Sequence, residues 1–469
     1  MRRTHLWLVV FLFAVAVRIA TLSAYPLHDT TEARYAEIAR LMVTSHDWVV
    51  PQISPGVPFW AKPPLSIWAT AGSLKLFGLT EFAARFPSLI FALLSVAVVY
   101  SYCRRRSTST AAWAAGSIFL SCGVGFIGAG AVMTDAALTF AVTLSSTAFA
   151  WRQAGAGKVS SIAFFLGLAL GLLAKGPLAV VLLAIPIAIW VFCYRSISWL
   201  RKFLPWIRGL GCVGLITLPW YIAAEAQSPG FINYFLVGEH FLRFVDSGWT
   251  GDLYGNAHER PIGTIWLFGI VGLMPWSAFA IGVLIYESTK SEAKRSTSDE
   301  TQFLILSALS PLFFFTLAKN VLPAYVMPCI PALSILLGRW LEHRARIFAG
   351  IAAVVPLLVL SLLATGFVSE SDERSQKDLL QKLAEQNTPE PVFYFRRMPY
   401  SASFYSNGQT ILLQDKSNLE AALASTESGT LLVRNKHEHA LGIELLSCLS
   451  LTAIDGNFSV FTIGPCRRP

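Results

Sequence analysis

Long apolar runs separated by short polar connections dominate the first three-quarters of the chain. MRRTH is followed by LWLVVFLFAVAVRIATL, and similar runs recur near residues 82–102, 110–128, 135–151, 160–174, 177–194, 204–224, 263–285, 302–317, 326–341 and 347–367. Each approaches the length that crosses roughly 30 Å of hydrocarbon, so the pattern predicts about eleven membrane spans, up to thirteen if half-spans are present. No small-residue cleavage site follows the first run, which reads as an uncleaved span rather than a signal peptide. Basic residues fall in alternate connections: Arg2 and Arg3, Arg104 to Arg106, Arg152 with Lys158, Arg195 with Arg201 and Lys202, Lys290 with Lys294 and Arg295, and Arg339 with Arg344 and Arg346. The positive-inside rule makes those connections and the N-terminus cytoplasmic. After an odd number of spans the C-terminus faces the outer side.

Two of the outward connections, 25–81 and 225–262, are long. In the first, Tyr35, Ile38, Leu41 and Met42 recur at three- and four-residue spacing, predicting an amphipathic helix on the membrane surface. PLSIWATAGSLKLFGL then predicts a second interfacial segment. After residue 367 the pattern changes. SESDERSQKDLLQKLAEQN reads as a charged helix, and PVFYF, QTILL, GTLLV, LTAI and FSVFTI read as short strands between turns. The expected architecture is an α-helical polytopic membrane region, 1–367, followed by a small C-terminal α/β domain, 368–469.

Composition supports this division. Only 14% of the 469 residues are charged, against about a quarter in soluble domains. The net charge of +9 is accounted for by the topology and gives no call for nucleic acid. Of the seven Cys, five lie in or beside apolar runs; Cys448 and Cys466 lie in the C-terminal part and could pair in an oxidising compartment.

Charged groups at the outer face are the candidates for chemistry, because ionisable groups near hydrocarbon are costly and are usually paired or functional. They include His28, Asp29, Glu32, Arg34, Glu37, Arg40 and Lys62 from the first loop. Asp135 and Lys175 stand at the ends of spans, and Glu239, His240, Arg243, His258, Glu259, Arg260 and Lys319 follow. Cations suit a departing phosphate, and a carboxylate suits the proton of an attacking hydroxyl. Bland readings stand beside these. Arg34 and Arg40 could snorkel to headgroups, Glu37 could be a solvated helix face, and Lys175 could cap the carbonyls before Gly176-Pro177.

HDTTEARYAEIARLM, DWVVPQISPGVPFWAKPPLSIW, FGLTEFAARFPS, MTDAALTF, LLAKGPLA, PWYIAAEAQSPGFINYFLVGEHFLRF, HERPIGTIWLFGIVGLMPW and FFFTLAKNVLPAYVMPCIPAL occur in this order. Together they resemble the lipid A aminoarabinose transferase family, related to the protein O-mannosyltransferases, and KPPL and EHFLRF are the most specific. The resemblance implies a GT-C fold and transfer of a sugar from an undecaprenyl-phosphate donor to lipid A or a related lipid at the periplasmic face. It implies catalytic carboxylates among Asp29, Glu32 and Asp135, with Asp29 favoured. It implies contacts from Lys62, Arg243 and Tyr325 to the donor phosphate, and a cavity shaped by Arg34, Tyr35, Lys319 and His240. Where the family often has Glu before the KPPL lysine, this chain has Ala61, which leaves a divalent metal unassigned, with Glu239, His240 and His258 as available ligands. Protein O-glycosylation or transfer to another envelope glycan is the alternative within the fold. A lipid-linked sugar transporter is the alternative outside it, disfavoured because the charges gather at one face and no repeat is visible.

Overall fold

The computed structural model describes residues 2–155, 157–246, 249–255, 259–288, 298–365 and 374–464. His258, Cys466, and the basic connection holding Lys290, Lys294 and Arg295 lie outside them. Helices occupy every predicted span, from Arg2–Thr21 through Glu81–Arg106, Asp135–Gln153, Lys158–Lys175, Pro177–Tyr194 and Trp206–Gln227 to Ala345–Ala364. Among the described residues six helical segments are long and apolar enough on their own to cross a membrane, and a bent pair makes a seventh. Shorter and broken helices pack among them. Their outer faces carry Phe192, Ile207 and Leu215 fully out of the protein core, as suits side chains solvated by lipid.

Two predicted spans are broken. The run 263–285 folds as Thr264–Gly272 and Trp276–Ser288, bent by 103°, because Pro275 removes a backbone donor from the helix ladder. The run 110–128 breaks at Cys122, between Ser109–Ser121 and Gly123–Gly128. The two breaks satisfy each other. Gly123 N–H donates to the Met274 carbonyl at 2.9 Å, and Trp276 Nε1 donates to Ser121 Oγ at 2.8 Å. In hydrocarbon such freed polar groups must find protein partners.

The helix Thr31–Ser45 differs from expectation. It does not lie on the membrane surface: Ala33 and every residue from Tyr35 to Met42 is buried, packed between the helix Leu65–Phe77 and the C-terminal helix Tyr400–Tyr405. Glu37 and Arg40 are accordingly neither a solvated face nor a snorkelling cation. They form a buried bidentate pair at 2.7 Å, as a guanidinium held against a carboxylate in a dry site must.

The C-terminal sheet uses all five predicted runs: β3 Val392–Phe395, β4 Ile411–Leu413, β5 Gly429–Arg434, β6 Leu449–Asp455 and β7 Phe458–Ile463. (β1 Gln52–Ser54 and β2 Val57–Pro58 form a separate hairpin in the first long loop.) The order is β4-β3-β5-β7-β6, with β4, β3 and β5 parallel and β5, β7 and β6 antiparallel. Cys448, just before β6, is disulfide-bonded.

Candidate active site

The turn Lys175-Gly176-Pro177 is the local feature that opens the site. Gly176 has φ +64°, a left-handed conformation that ends one helix, and Pro177 starts the next with its preset φ. A Cβ on Gly176 would stand 2.5 Å from the Phe235 ring, so the position accepts only glycine. Lys175 does not cap its helix. Its Nζ donates to Asp135 Oδ1 at 2.6 Å and stands 4.6 Å from the centre of the Tyr325 ring. Asp135 is the first residue of its helix, where the positive end of the macrodipole favours a carboxylate.

The second long loop supplies the facing wall. Tyr234–Leu242 forms a π-helix, a widened turn often found at functional sites. Its Glu239 pairs with Lys62 and, at 2.9 and 3.0 Å, with Arg243; Arg243 also lies 3.2 Å from Asp252. Burial pushes the Glu239 carboxyl up, but Lys62 and Arg243 outweigh it and hold Glu239 below its ordinary value. His240 Nδ1 lies 2.7 Å from the Phe235 carbonyl, and Nε2 lies 3.1 Å from the Lys175 carbonyl. Burial lowers its pKa, against the two carbonyls that raise it, and the ring stands between the π-helix and the Lys175 turn.

Lys62 is delivered by the hairpin β1–β2. Tyr254 of the second loop clamps the residues before it, donating to the Pro58 carbonyl at 2.8 Å and accepting from Trp60 N–H at 3.0 Å. Trp60 Nε1 donates to Ser228 Oγ at 2.9 Å. The KPPL lysine is thus held between the two long loops.

Two chambers meet at this frame. One is mainly apolar, lined by Pro177, Leu178, Val181, Phe244, Phe314 and Phe315. The other, of ≈ 340 Å³, is lined by Thr31, Arg34, Tyr35, Tyr254, Asp135 and Arg397, among others. Lys62, Lys175, Arg243, Asn320 and Tyr325 line both. Among the described residues the polar chamber has five cationic side chains (Arg34, Lys62, Lys175, Arg243 and Arg397) and one carboxylate, Asp135. That excess of positive charge suits a phosphate.

The remaining candidates are placed differently. Glu32 accepts from Arg85 at 2.9 and 3.1 Å and from Val132 N–H at 3.1 Å. Arg85, fully buried, also donates to the Leu22, Tyr25 and Pro26 carbonyls, so this pair fastens the start of the first loop. The Asp29 carboxylate turns away from the chamber. It accepts from Tyr400 N–H at 2.9 Å and from the Ser401 hydroxyl, at the N-terminus of the helix Tyr400–Tyr405. The Lys319 side chain is exposed, and its neighbour Asn320 lines the cavity instead. Arg34 donates to the Tyr254 carbonyl at 2.8 Å, and Tyr35 is buried in the wall. Thr31, Asn320, Tyr254, Arg397 and Tyr400 were not singled out from sequence. Thr31, adjoining Glu32 in the first-loop motif, carried the nearest signal. Among the described residues no group of three His, Cys, Asp or Glu side chains is arranged to hold a metal ion.

Asp29 gives a test. Burial pushes its pKa up, against the hydrogen bonds from Ser401 and Tyr400 and the Arg434 charge. The docked state therefore keeps the proton to higher pH than a free carboxyl does. This group's contribution to docking falls as pH rises from the ordinary carboxylate value through its own raised one. Asp29→Ala is expected to speed hydrogen exchange at Tyr400–Tyr405, with a cost of about 1 kcal/mol for the lost cap, and Asp29→Asn to remove the pH dependence while retaining turnover. Abolished turnover in a folded Asp29→Asn protein would instead give that carboxylate a role in the reaction.

Residues 1–235 match the dolichyl-phosphate-mannose-protein mannosyltransferase family. The undecaprenyl phosphate-α-4-amino-4-deoxy-L-arabinose arabinosyl transferase of Yersinia pestis (strain Pestoides F) is 32% identical over 403 residues, 80% of this chain and 68% of the relative. The chain belongs to this transferase family. The second such transferase of Proteus mirabilis is 32% identical over 376 residues, 76% of this chain and 65% of its own. The apo structure of ArnT from Cupriavidus metallidurans superposes with a TM-score of 0.81 at 20% identity, covering 98% of this chain and 99% of that one. Its undecaprenyl phosphate complex gives 0.77 over the same shares. The fold is therefore that of a GT-C membrane glycosyltransferase with a small mixed α/β sheet at its C-terminal end.

Proposed function

We propose that this transferase moves a pentose, 4-amino-4-deoxy-L-arabinose or a close analogue, from undecaprenyl phosphate to lipid A or a related outer-leaflet lipid. The observation that carries the reading is the junction of two chambers at Lys62, Lys175, Arg243 and Tyr325. The prenyl chain lies along Phe244, Phe314 and Phe315, the phosphate sits at the shared cations, and the sugar enters the polar chamber beside Asp135. As the bond from C1 to the phosphate oxygen breaks, Lys62 and Arg243 take up the charge left on the phosphate. Asp135 faces the attacking group. It accepts a proton if that group is a hydroxyl, and positions it if it is a phosphate, which needs little deprotonation.

Orientation is part of the proposal. The helix Pro177–Tyr194 has Pro177 in the site and Arg195 beyond its other end, about 27 Å away at 1.5 Å per residue. Near that far end Glu300 accepts from Arg106 and Arg339 at 2.7 and 2.6 Å. With these arginines cytoplasmic, the site and the C-terminal domain face the periplasm. Mass spectrometry of lipid A from cells with and without the protein tests the reading. Loss of one aminopentose mass is expected. An unchanged profile with the protein expressed would turn the search to glycoproteins and other envelope glycans.

A further inference from the structure

The C-terminal sheet carries a basic cluster that reaches the reaction centre only through Arg397. β3 and β5 are adjacent and parallel, and the chain leaves β3 toward β4 on one side before returning to β5 on the other. This reversal is a topological switch point, where open α/β sheets bind ligands beyond the carboxyl ends of their strands. At those two ends stand Arg396 and Arg397, after β3, and Arg434, Lys436, His437 and His439, at the end of and after β5. None of these six side chains is in an ion pair with a carboxylate among the described residues. The nearby acids are engaged elsewhere: Asp29 caps the helix Tyr400–Tyr405, and Glu438 accepts from the Ser459 hydroxyl. Arg434 Nε is buried with no hydrogen-bond partner. The charges feel one another. Burial first, then Arg397, lowers the pKa of Arg434, opposed by the Asp29 charge, and His437 is lowered by burial and then by Lys436, Arg396, His439 and Arg434. An excess of like charges of this kind is relieved by an anion.

Arg397 connects this cluster to the reaction centre, because it also lines the polar chamber. We infer that the carboxyl ends of β3 and β5, with Arg397, Arg434 and Lys436, form a second anion subsite that holds a phosphate of the acceptor lipid other than the group that reacts. The inference rests on the proposed lipid acceptor. It explains why Arg397 is supplied by the C-terminal domain: an acceptor bridging the two subsites is gripped by both parts of the chain.

The test is equilibrium binding of bisphosphoryl and monophosphoryl lipid A to the full-length protein in nanodiscs without donor, beside a transfer assay with donor. Wild type is expected to bind the bisphosphoryl form about tenfold more tightly, the size of one charge-assisted contact. Arg434→Gln should bring the two affinities together, and Lys436→Gln, at an exposed position, should narrow the gap without any risk to folding. Affinity for the monophosphoryl lipid and for undecaprenyl phosphate should stay unchanged in both. An equal preference in wild type and both variants overturns the subsite. Discrimination without transfer in wild type would leave the subsite standing and overturn the proposed acceptor.

Discussion

In an Asp135→Asn variant, turnover is expected to fall by roughly 10²–10⁴-fold, the range for losing a positioned acid–base group, with donor binding little changed. The expectation follows from placement. Among the described residues Asp135 is the one carboxylate that lines the polar chamber, while Glu32 and Asp29 are committed to Arg85 and to the Tyr400–Tyr405 helix. A structural role has to be separated from a chemical one, because Asp135 is paired with buried Lys175, and breaking a buried pair from one side strands the other charge. Asp135→Glu makes that separation, because it keeps the counter-charge for Lys175 while displacing the carboxylate. If the carboxylate matters only as a counter-ion, Asp135→Glu retains turnover. The variant is expected to be inactive while eluting as a monodisperse protein with unchanged melting behaviour. Retained activity would reduce Asp135 to a scaffold.

Lys62→Met is expected to weaken binding of undecaprenyl phosphate by about tenfold to a hundredfold, the equivalent of one lost hydrogen bond to a charged group. Methionine keeps the length of the side chain and removes its charge. The effect should appear in direct titration of purified protein with undecaprenyl phosphate and, under turnover, in KM for the donor. Because the same ammonium also stabilises the leaving phosphate, kcat should drop as well. Unchanged affinity in a folded variant would move the phosphate away from the frame shared by the two chambers.

What the sequence disclosed divides along physical lines. Span positions were legible because lipid imposes a long apolar run, and the strands of the C-terminal sheet because turn residues punctuate them. Lys62, Arg243, Tyr325 and Asp135 were legible through the family's motifs, and the structure brings all four to one cavity. The helix Thr31–Ser45 was misread. Its periodic Tyr35, Ile38, Leu41 and Met42 announce one buried face, and the three-residue spacing of Glu37 and Arg40 allows them to pair, but nothing local says that the pair will be buried under the C-terminal domain. The same long-range contact hides the fate of Asp29, whose partners lie about 370 residues away. Arg397 was invisible for the same reason: only the docking of the sheet brings it to the chamber. The breaks at Cys122 and Pro275 lie within runs that hydropathy reads as continuous, and each depends on the other for its hydrogen bonds.

The pairing of Glu239 with Lys62 and Arg243 bears on selectivity. In the proposed site a donor phosphate would meet two cations already held by a carboxylate, which present a nearly neutralised face to the cavity. A free phosphate ion would have to displace an intramolecular competitor that is always present at high local concentration. A lipid-linked phosphate arrives with a prenyl chain, whose burial along Phe244, Phe314 and Phe315 adds apolar binding that the ion lacks. Glu239 thus acts as a threshold: it makes the lipid tail a condition for occupying the charge-binding frame and lets the transferase ignore the small anions that surround it.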